Sequence, residues 1–519
     1  MSPRQPEWWA AIAAVAAIAA GLRFGDLAKR PMHADEAVLA DKFGALLERG
    51  EYRYDPANYH GPALLYFTLP AARLGGFRSY AELNETVLRA VTALAGLALA
   101  LMPLALARGL GRGAALAAAL FSAISPALVF YSRYYIPEML LALFSFAAIL
   151  CGWRYMERPR AVWAVLFGAA AGLAYATKET AVIALAAMVV ALVASGGAGG
   201  LHERLKDNTA EPLPRGRASI EWRSYWVHAL FALAAGAVVA LLLFGPAGLI
   251  DSFRGYAQYV SRAAHDPLHR HSPFYYLHLT AWFHEGSGPV WTEAAILVFG
   301  LAGAVLARRG LARFLAVYAL TTAVCYSAIP YKTPWCLVQF WQPLAVLAGV
   351  GAARVLAVRR LRAPAAVFLV LACGHLAWQA GATTREYAAD PRNPYVYAHT
   401  GRDVFLIRDR VAALRAAGAQ RVQILSSRNL WPLPWYMRGW SGVEWWPKAP
   451  EAGAPGEVIL LTPEMEPAAA RLIYELRPPG ERELYMDVFG RAVELRPGVF
   501  LRGYAAPSVW EKARLSDVH

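Results

Sequence analysis

The sequence predicts an all-α polytopic membrane domain followed by a small C-terminal α/β domain. Three observations carry this reading. Of the 519 residues 57% are hydrophobic and only 17% charged, against roughly 25% charged in an average soluble domain. Apolar runs of about 17–22 residues, long enough to cross the hydrocarbon core as helices, recur from the N-terminus. They stop near residue 381, and short helix and strand patterns take over.

About eleven spans are predicted, at 8–22, 86–107, 113–131, 137–153, 161–177, 180–196, 226–250, 291–307, 312–330, 335–353 and 364–381. The first is alternatively a cleaved signal peptide, since Ala-rich residues precede Gly21. Lys and Arg in the connections orient the set. One series is basic: Arg108 and Arg112; Arg154, Arg158 and Arg160; Arg308, Arg309 and Arg313; Arg354, Arg359, Arg360 and Arg362. The 197–225 connection adds Arg204, Lys206, Arg215, Arg217 and Arg223. The alternate short connections hold one cation each, Arg133, Lys178 and Lys332. With a cytoplasmic N-terminus, eleven spans put every basic connection inside and the tail from 382 outside a plasma (inner) membrane. The net charge of +14 is then mostly a topology signal. No basic stripe, RNA-binding motif or zinc module points to nucleic acid. Cys151, Cys325, Cys336 and Cys373 all fall in or beside spans, which implies no disulfide framework.

The predicted domains are therefore 1–381 and 382–519. Outer loop 23–85 holds an acidic helical segment and, after Gly61, about 13 apolar residues, too few to span and suited to an interfacial helix. Residues 197–225 read as a cytoplasmic linker, and 251–290 as an outer loop rich in His and aromatics. In the tail, DVFLIRDRVAALRAAGAQ has a helical period, QRVQILSS and GEVILLTP read as strands, PAAARLIYELRP as a helix and RAVELRPGVFLRGY as a strand or hairpin.

Chemistry is sought among the polar residues of the outer connections. Asp35 and Glu36 are adjacent carboxylates just past the first span, able to take a proton from an attacking hydroxyl within hydrogen-bond reach; the plainer reading is stabilisation of a helix N-terminus. Glu138 follows Pro137 at a span start, where the helix dipole alone accounts for it, or else it completes a polar site with Arg133. Lys178 and Glu179, between barely separated spans, form either a structural ion pair or a functional one, as charge is expensive in so apolar a stretch. Lys332 is similarly placed, and outward-facing cations can hold a phosphate. His265, His269, His271, His278 and His284 match no tight metal spacing; one or two phosphate-contacting histidines in an aromatic loop is the other reading. His60 is a substrate-side group or a turn residue before Pro62. Asn84-Glu85-Thr86 fits a glycosylation acceptor pattern. WPLPWYMRGWSGVEWW has five Trp in sixteen residues, as an interfacial belt, a core edge or a sugar-stacking surface.

In their order and membrane face, HADEAVLA, YHGPALLYF, YSRYYIPEMLLAL, ATKETA, HSPFYYLHL and YKTPWCLVQFWQPLAVLAG resemble the GT-C superfamily of membrane glycosyltransferases. They cover the chain to about residue 381. The nearest resemblance is to the dolichyl-phosphate-mannose–protein mannosyltransferase relatives and their microbial flippase-activity-associated branch, which NPYVYAHTGRDV and WPLPWYMRGW also resemble. The resemblance implies a GT-C fold and an inverting hexosyltransferase with a polyprenyl-phosphate-linked donor and a hydroxyl acceptor on a lipid, glycan or protein. It implies Asp35 as general base, with Glu36 and Glu138 beside it in the catalytic set; many relatives have Asp at the Glu138 position, which bears on its role as base partner or metal ligand. Lys178, Arg133, Lys332 and His271 would hold the donor phosphate, and Tyr59, His60, Glu179 and Tyr275 would line the substrate. A divalent Mg or Mn, which some members use, would sit on Asp35 and Glu138. The competing readings are a flippase component that moves lipid-linked sugars, which favours polar groups at mid-span breaks, and a scaffold presenting the tail.

Overall fold

The computed structural model describes residues 5–50, 52–55, 60–196, 216–265, 269–448, 450, 453–476 and 478–513. Its helical part comprises α1 (Gln5–Phe24), α2 (Ala34–Arg49), α3 (Ala63–Leu74), α4 (Glu85–Leu101), α5 (Ala107–Leu110), α6 (Arg112–Ile124), α7 (Pro126–Ser132), α8 (Glu138–Glu157), α9 (Ala161–Tyr175) and α10 (Ala181–Ala194). It continues with α11 (Gly216–His265), α12 (Tyr275–Ala281), α13 (Ala294–Leu306), α14 (Gly310–Ala328), α15 (Val338–Ala357) and α16 (Arg362–Thr384). The chain is a multi-pass membrane protein. Among the described residues seven helices are long and apolar enough to cross a bilayer, and α6 with α7, bent by 60° at Ser125–Pro126, makes an eighth.

Each of the eleven predicted spans is helical, but α9, α10 and α13 have only 15, 14 and 13 residues. At 1.5 Å per residue such helices fall short of a hydrocarbon core about 30 Å thick. Hydrogen bonds nevertheless gather six connections on one side of the helical layer. Tyr135 N–H donates to Glu36 in the first loop at 2.8 Å, and Ala63 N–H to Ala176 O at 2.9 Å. Lys332 N–H donates to His269 O at 2.8 Å, while Thr400 donates to Met32 O at 2.7 Å. Among the described residues, the helices that join these connections carry Arg108, Arg154, Arg308 and Arg354 at or just past their other ends.

Two boundaries differ from expectation. Residues 216–225, expected as linker, begin α11, which continues to His265 through a break at Gly245–Pro246; residues 197–215 lie outside the described ones. The 251–290 connection therefore starts as helix and carries α12 within it. Small residues let neighbouring helices touch backbone to backbone, the usual device where lipid offers no hydrophobic drive. A Cβ on Gly351 of α15 would lie 2.0 Å from Phe299 O of α13, and one on Gly303 2.1 Å from Leu347 O.

The tail adds α17 (Asp403–Ala416) and a six-stranded sheet of β1 (Val422–Leu425), β2 (Val443–Trp446), β3 (Val458–Leu461), β4 (Met486–Asp487), β5 (Val493–Arg496) and β6 (Val499–Ala505). Its order is β2-β1-β3-β6-β4, with β5 pairing β6; β2, β1 and β3 are parallel, and β6 runs antiparallel to β3. Strands β1 and β3 are buried throughout; β3 is an unbroken apolar run, and the one polar residue of β1, Gln423, accepts from Gly456 N–H at 2.8 Å and donates to Glu444 at 3.2 Å. β2 lies within the Trp-rich run. There Trp435 is fully buried, donating its indole N–H to Glu85 at 2.8 Å under the Arg438 guanidinium, so this stretch is mainly a packed edge.

Candidate active site

The acidic pair of the first loop divides by helix phase. His33 caps α2: its Nδ1 accepts the Asp35 N–H at 3.1 Å, and Glu36 returns the bond to His33 N–H at 2.8 Å. With Nδ1 accepting, the ring donates from Nε2 to Tyr397 O at 3.1 Å and is the neutral tautomer. Glu36 points inward and is fully buried. Arg30 reaches both its oxygens at 2.8 and 2.9 Å, Arg89 does so at the same distances, and the Tyr135 N–H adds a further bond at 2.8 Å. Burial alone would raise the Glu36 carboxyl, but the two guanidinium groups outweigh it and hold it far below the usual carboxylate range. With every lone pair engaged, Glu36 has no capacity for proton transfer; its place is to fix α2. Asp35 points outward with its side chain 55% exposed, 3.9 Å from the neutral His33 Nδ1.

A second group of predicted residues gathers across from this turn. Residues 269–271 pair with 330–332 as a short antiparallel bridge. Tyr397 ties the bridge to the α2 cap: its hydroxyl meets His269 Nδ1 at 2.5 Å and His271 Nε2 at 3.4 Å, and its carbonyl accepts from His33. His271 stacks on Tyr275 with ring centres 4.2 Å apart. Lys332 donates to the carbonyls of His271 and Ile329. Burial, then His269 and Lys332 nearby, push the His271 imidazole below its ordinary range, which keeps it neutral at pH 7.

Glu138 and Lys178 form a buried ion pair. Burial alone would lower the Lys178 ammonium, but Glu138 outweighs it and raises it. Among the described residues Glu138 Oε2 and the neighbouring Gln339 Oε1 have no hydrogen-bond partner, although Gln339 donates to the Glu138 carbonyl. This pair does not touch Asp35. One turn, Pro334–Leu337, lies between them: the Trp335 ring sits 5.7 Å from His33, and Cys336 is within electrostatic reach of Lys178 and Glu138. Glu179 pairs instead with His60, Nδ1 to Oε2 2.9 Å, and accepts from Tyr54 at 3.1 Å. Gly61 permits that approach, since a Cβ there would lie 2.2 Å from Ala176 O. Tyr59 lies outside the described residues.

Arg133 is placed differently from expectation. Its guanidinium donates to Leu22 O, Arg23 O and Asp26 O at 3.1–3.2 Å, capping the C-terminal end of α1. Burial, then Arg30 and Arg89 nearby, bring it down to about 10. The expected metal pair is not assembled either. Asp35 and Glu138 are not joined, Glu138 is paired with an ammonium, and among the described residues no three His, Cys, Asp or Glu side chains group as metal ligands. The residues do not fit a divalent ion at that position.

Several groups were not foreseen. His33 and Glu36 stand in the spacing of a capping box, a signal present in the sequence. Glu293 left none: it is fully buried at the bend between α6 and α7, accepting from Ser125 at 2.5 Å, Ala127 N–H at 2.8 Å, Trp341 at 2.8 Å and Tyr395 at 2.6 Å. His399 is buried beside Tyr134 with Nε2 unpartnered among the described residues. From the tail, Arg496 donates to Asn429 O at 2.5 Å and stands within electrostatic reach of Asp35. Asn84 serves as the N-cap of α4, accepting from Val87 N–H at 3.0 Å.

Residues 63–206 match the sequence model of the family described as dolichyl-phosphate-mannose-protein mannosyltransferase. The matched segment contains Glu138 and Lys178 and begins after Asp35. No curated protein matches the chain in sequence. Among solved structures the chain resembles ArnT from Cupriavidus metallidurans bound to undecaprenyl phosphate, with a TM-score of 0.58, 16% identity, and coverage of 97% of this chain and 99% of that one. The same protein in the apo state gives 0.60 and 18%, covering 96% and 98%. The Archaeoglobus fulgidus oligosaccharyltransferase AglB, in complex with an inhibitory peptide and a dolichol-phosphate, gives 0.53 and 14% over 91% of this chain and 72% of that one. The chain has the GT-C fold, helical membrane part and C-terminal mixed sheet together.

Proposed function

We propose that this chain transfers a sugar from a polyprenyl-phosphate donor to an acceptor hydroxyl at the membrane face that bears the C-terminal domain, with inversion at the anomeric carbon. The observation that carries the reading is Asp35. It is an exposed carboxylate on a helix start braced by a buried Glu36–Arg30–Arg89 cluster, whose His33 cap is tied through Tyr397 to His271 and Lys332, in a chain whose fold runs along the whole length of an undecaprenyl-phosphate-bound relative.

In this reading the polyprenyl tail lies in the bilayer and the phosphate at its surface. The acceptor oxygen attacks the anomeric carbon opposite the phosphate while Asp35 takes its proton, and the bond to the phosphate oxygen breaks. Part-buried His271 and the buried Lys332 ammonium, held on the His271 and Ile329 carbonyls, border the proposed site; the Lys178 ammonium, paired with Glu138, supplies a further buried positive charge. No step runs through a metal. The distribution of Lys and Arg supports an extracytoplasmic location for this face. The acceptor's class, lipid, glycan or protein, stays open in this reading.

The test uses purified protein in proteoliposomes with a polyprenyl-phosphate hexose and extracted membrane lipids and glycans as acceptors. Sugar appears in a new product and polyprenyl phosphate is released in equal amount; movement of intact donor across the vesicle with no release would select the flippase reading instead.

A further inference from the structure

Two adjoining shallow clefts open where α1 ends and α16 ends, and they share Arg30, Thr384 and Ala388. The floor is apolar, made by Leu27, Phe130 and Ala388; the rim is Lys29, Arg385 and Arg402, all exposed. Arg30 and Arg133 line the space from beneath. The charge around it does not balance. Glu36 is consumed by Arg30 and Arg89, and Asp390 by Arg392 at 2.6 Å, although Arg402 feels it. Arg402 donates to a backbone carbonyl, Glu386 O, at 3.3 Å, and Asp26 offers its carbonyl to Arg133. Among the described residues no carboxylate bonds Lys29, Arg385 or Arg402. Arg30, Arg89 and Arg385 act on Arg133 as like charges and Asp26 as an opposite one, which leaves the positive side in excess.

A groove with an apolar floor, a basic rim and an excess of positive charge calls for an amphiphilic anion. Its position names the kind. Both α1 and α16 are lipid-facing, with only 17% of each apolar stretch buried within the protein, and the groove lies just past their ends, at the depth of lipid headgroups. None of the rim residues touches Asp35, Lys178, His271 or Lys332.

We propose that this groove binds the phosphate of an anionic membrane phospholipid, as a site separate from the one that holds the sugar donor. The bound headgroup neutralises the rim and pins the two chain segments that meet there, 26–31 and 384–402. The first leads into the α2 cap, and the second carries Tyr397 and His399.

The experiment is native mass spectrometry of the full chain titrated with phosphatidylglycerol, with phosphatidylcholine and with inorganic phosphate. The wild type binds one phosphatidylglycerol in clear preference to phosphatidylcholine, and millimolar inorganic phosphate leaves it bound. A cation near an anionic headgroup contributes about fivefold, so Lys29→Gln with Arg385→Gln and Arg402→Gln weakens phosphatidylglycerol roughly a hundredfold. Arg49→Gln with Arg73→Gln and Arg78→Gln, exposed on the same loop face, leaves it within threefold. The charge-keeping set Lys29→Arg, Arg385→Lys and Arg402→Lys retains binding. No preference over phosphatidylcholine, unchanged affinity in the first set, or equal losses in the two neutralised sets overturns the proposal. Displacement by inorganic phosphate overturns the lipid assignment in favour of a soluble anion. Sugar transfer is not the readout, so failure here is distinct from failure of the transferase reading.

Discussion

Asp35 and Glu36 are neighbours in sequence with opposite expected mutant phenotypes, and the contrast can be worked from their contacts. The Asp35 carboxylate is 55% exposed and its nearest basic atom is a neutral imidazole nitrogen 3.9 Å away; the bond that caps α2 uses the Asp35 backbone, not its side chain. Asp35→Asn therefore changes stability by no more than about 0.5 kcal/mol. Removing a general base costs roughly 10²–10⁴ in rate. Glu36→Gln keeps the shape but leaves Arg30 and Arg89 buried without their counter-charge and turns an amide N–H₂ toward a guanidinium. Breaking such a pair costs about 3–5 kcal/mol. Thermal melting in detergent, followed by the rate of polyprenyl-phosphate release from donor in proteoliposomes, separates the two. Asp35→Asn melts with the wild type and loses turnover; Glu36→Gln melts well below it. Retention of activity in Asp35→Asn, or a melting loss equal to that of Glu36→Gln, would refute the division of roles.

Further outcomes follow from the same geometry. The Glu36 carboxyl is depressed on folding, so its stabilisation is complete above the ordinary carboxylate range and is lost as pH falls below it; acid melting curves should drop there for the wild type and be flatter for Glu36→Gln. Lys178→Ala leaves Glu138 buried and unpaired and should lower melting, while Lys178→Met with Glu138→Leu restores it. If Lys178 also serves the donor phosphate, the double variant still shows a donor KM raised about tenfold to a hundredfold, and recovery of both properties would make the pair purely structural. Gly61→Ala drives a Cβ to within 2.2 Å of a backbone oxygen and should cost about 1–3 kcal/mol by melting, with Gly61→Ser no better; a neutral result would remove the tight seat of the His60 loop.

The spans were legible because an apolar run of span length is a local property, and the helix ends were legible where Pro or Arg clusters punctuate them. The shortness of α9, α10 and α13 was not, since the small and weakly polar residues at their ends, such as Ala176, Thr177, Ser195, Gly196 and Ala307, do not interrupt an apolar run whether or not they stay helical. The fate of the acidic pair depends on Arg89, 53 residues beyond Glu36, and on the Tyr135 N–H, 99 residues beyond. Nothing near Asp35 announces which carboxylate turns inward, although the helical phase guarantees that adjacent residues diverge by about 100°. His33 was readable as a cap from the glutamate three residues on, but His is not among the favoured capping types. Arg133 looked like a phosphate ligand because a cation in a short outer connection invites that reading; the open C-terminal end of α1, more than a hundred residues earlier in the chain, claims it instead. β2 was hidden in a Trp-rich run, and its register comes only from pairing with β1.

Buried polar groups at a helix break are what a translocation path needs, so the bend at Ser125–Pro126 is where the flippase reading should be strongest. There, Glu293 takes four donors, two of them the Ser125 hydroxyl and the Ala127 N–H at the start of α7. A carboxylate so saturated has nothing left to offer a passing substrate; it holds the bend, and the bend aims α7 so that Tyr131, Arg133 and Tyr134 reach Tyr395, the end of α1 and His399. Among the described residues, unpartnered capacity lies at Glu138 Oε2 and Gln339 Oε1 beside Lys178 and at His399 Nε2 beside His33, and also within the layer at Ser122, Ser145 and Gln342. The first three stand at the starts of α8 and α15 and beside the α2 cap. The carboxylate and the imidazole with spare capacity both stand at that end, which suits chemistry on a headgroup held there; within the layer the unpartnered groups of the described residues include neither a carboxylate nor an imidazole to carry a charged substrate across.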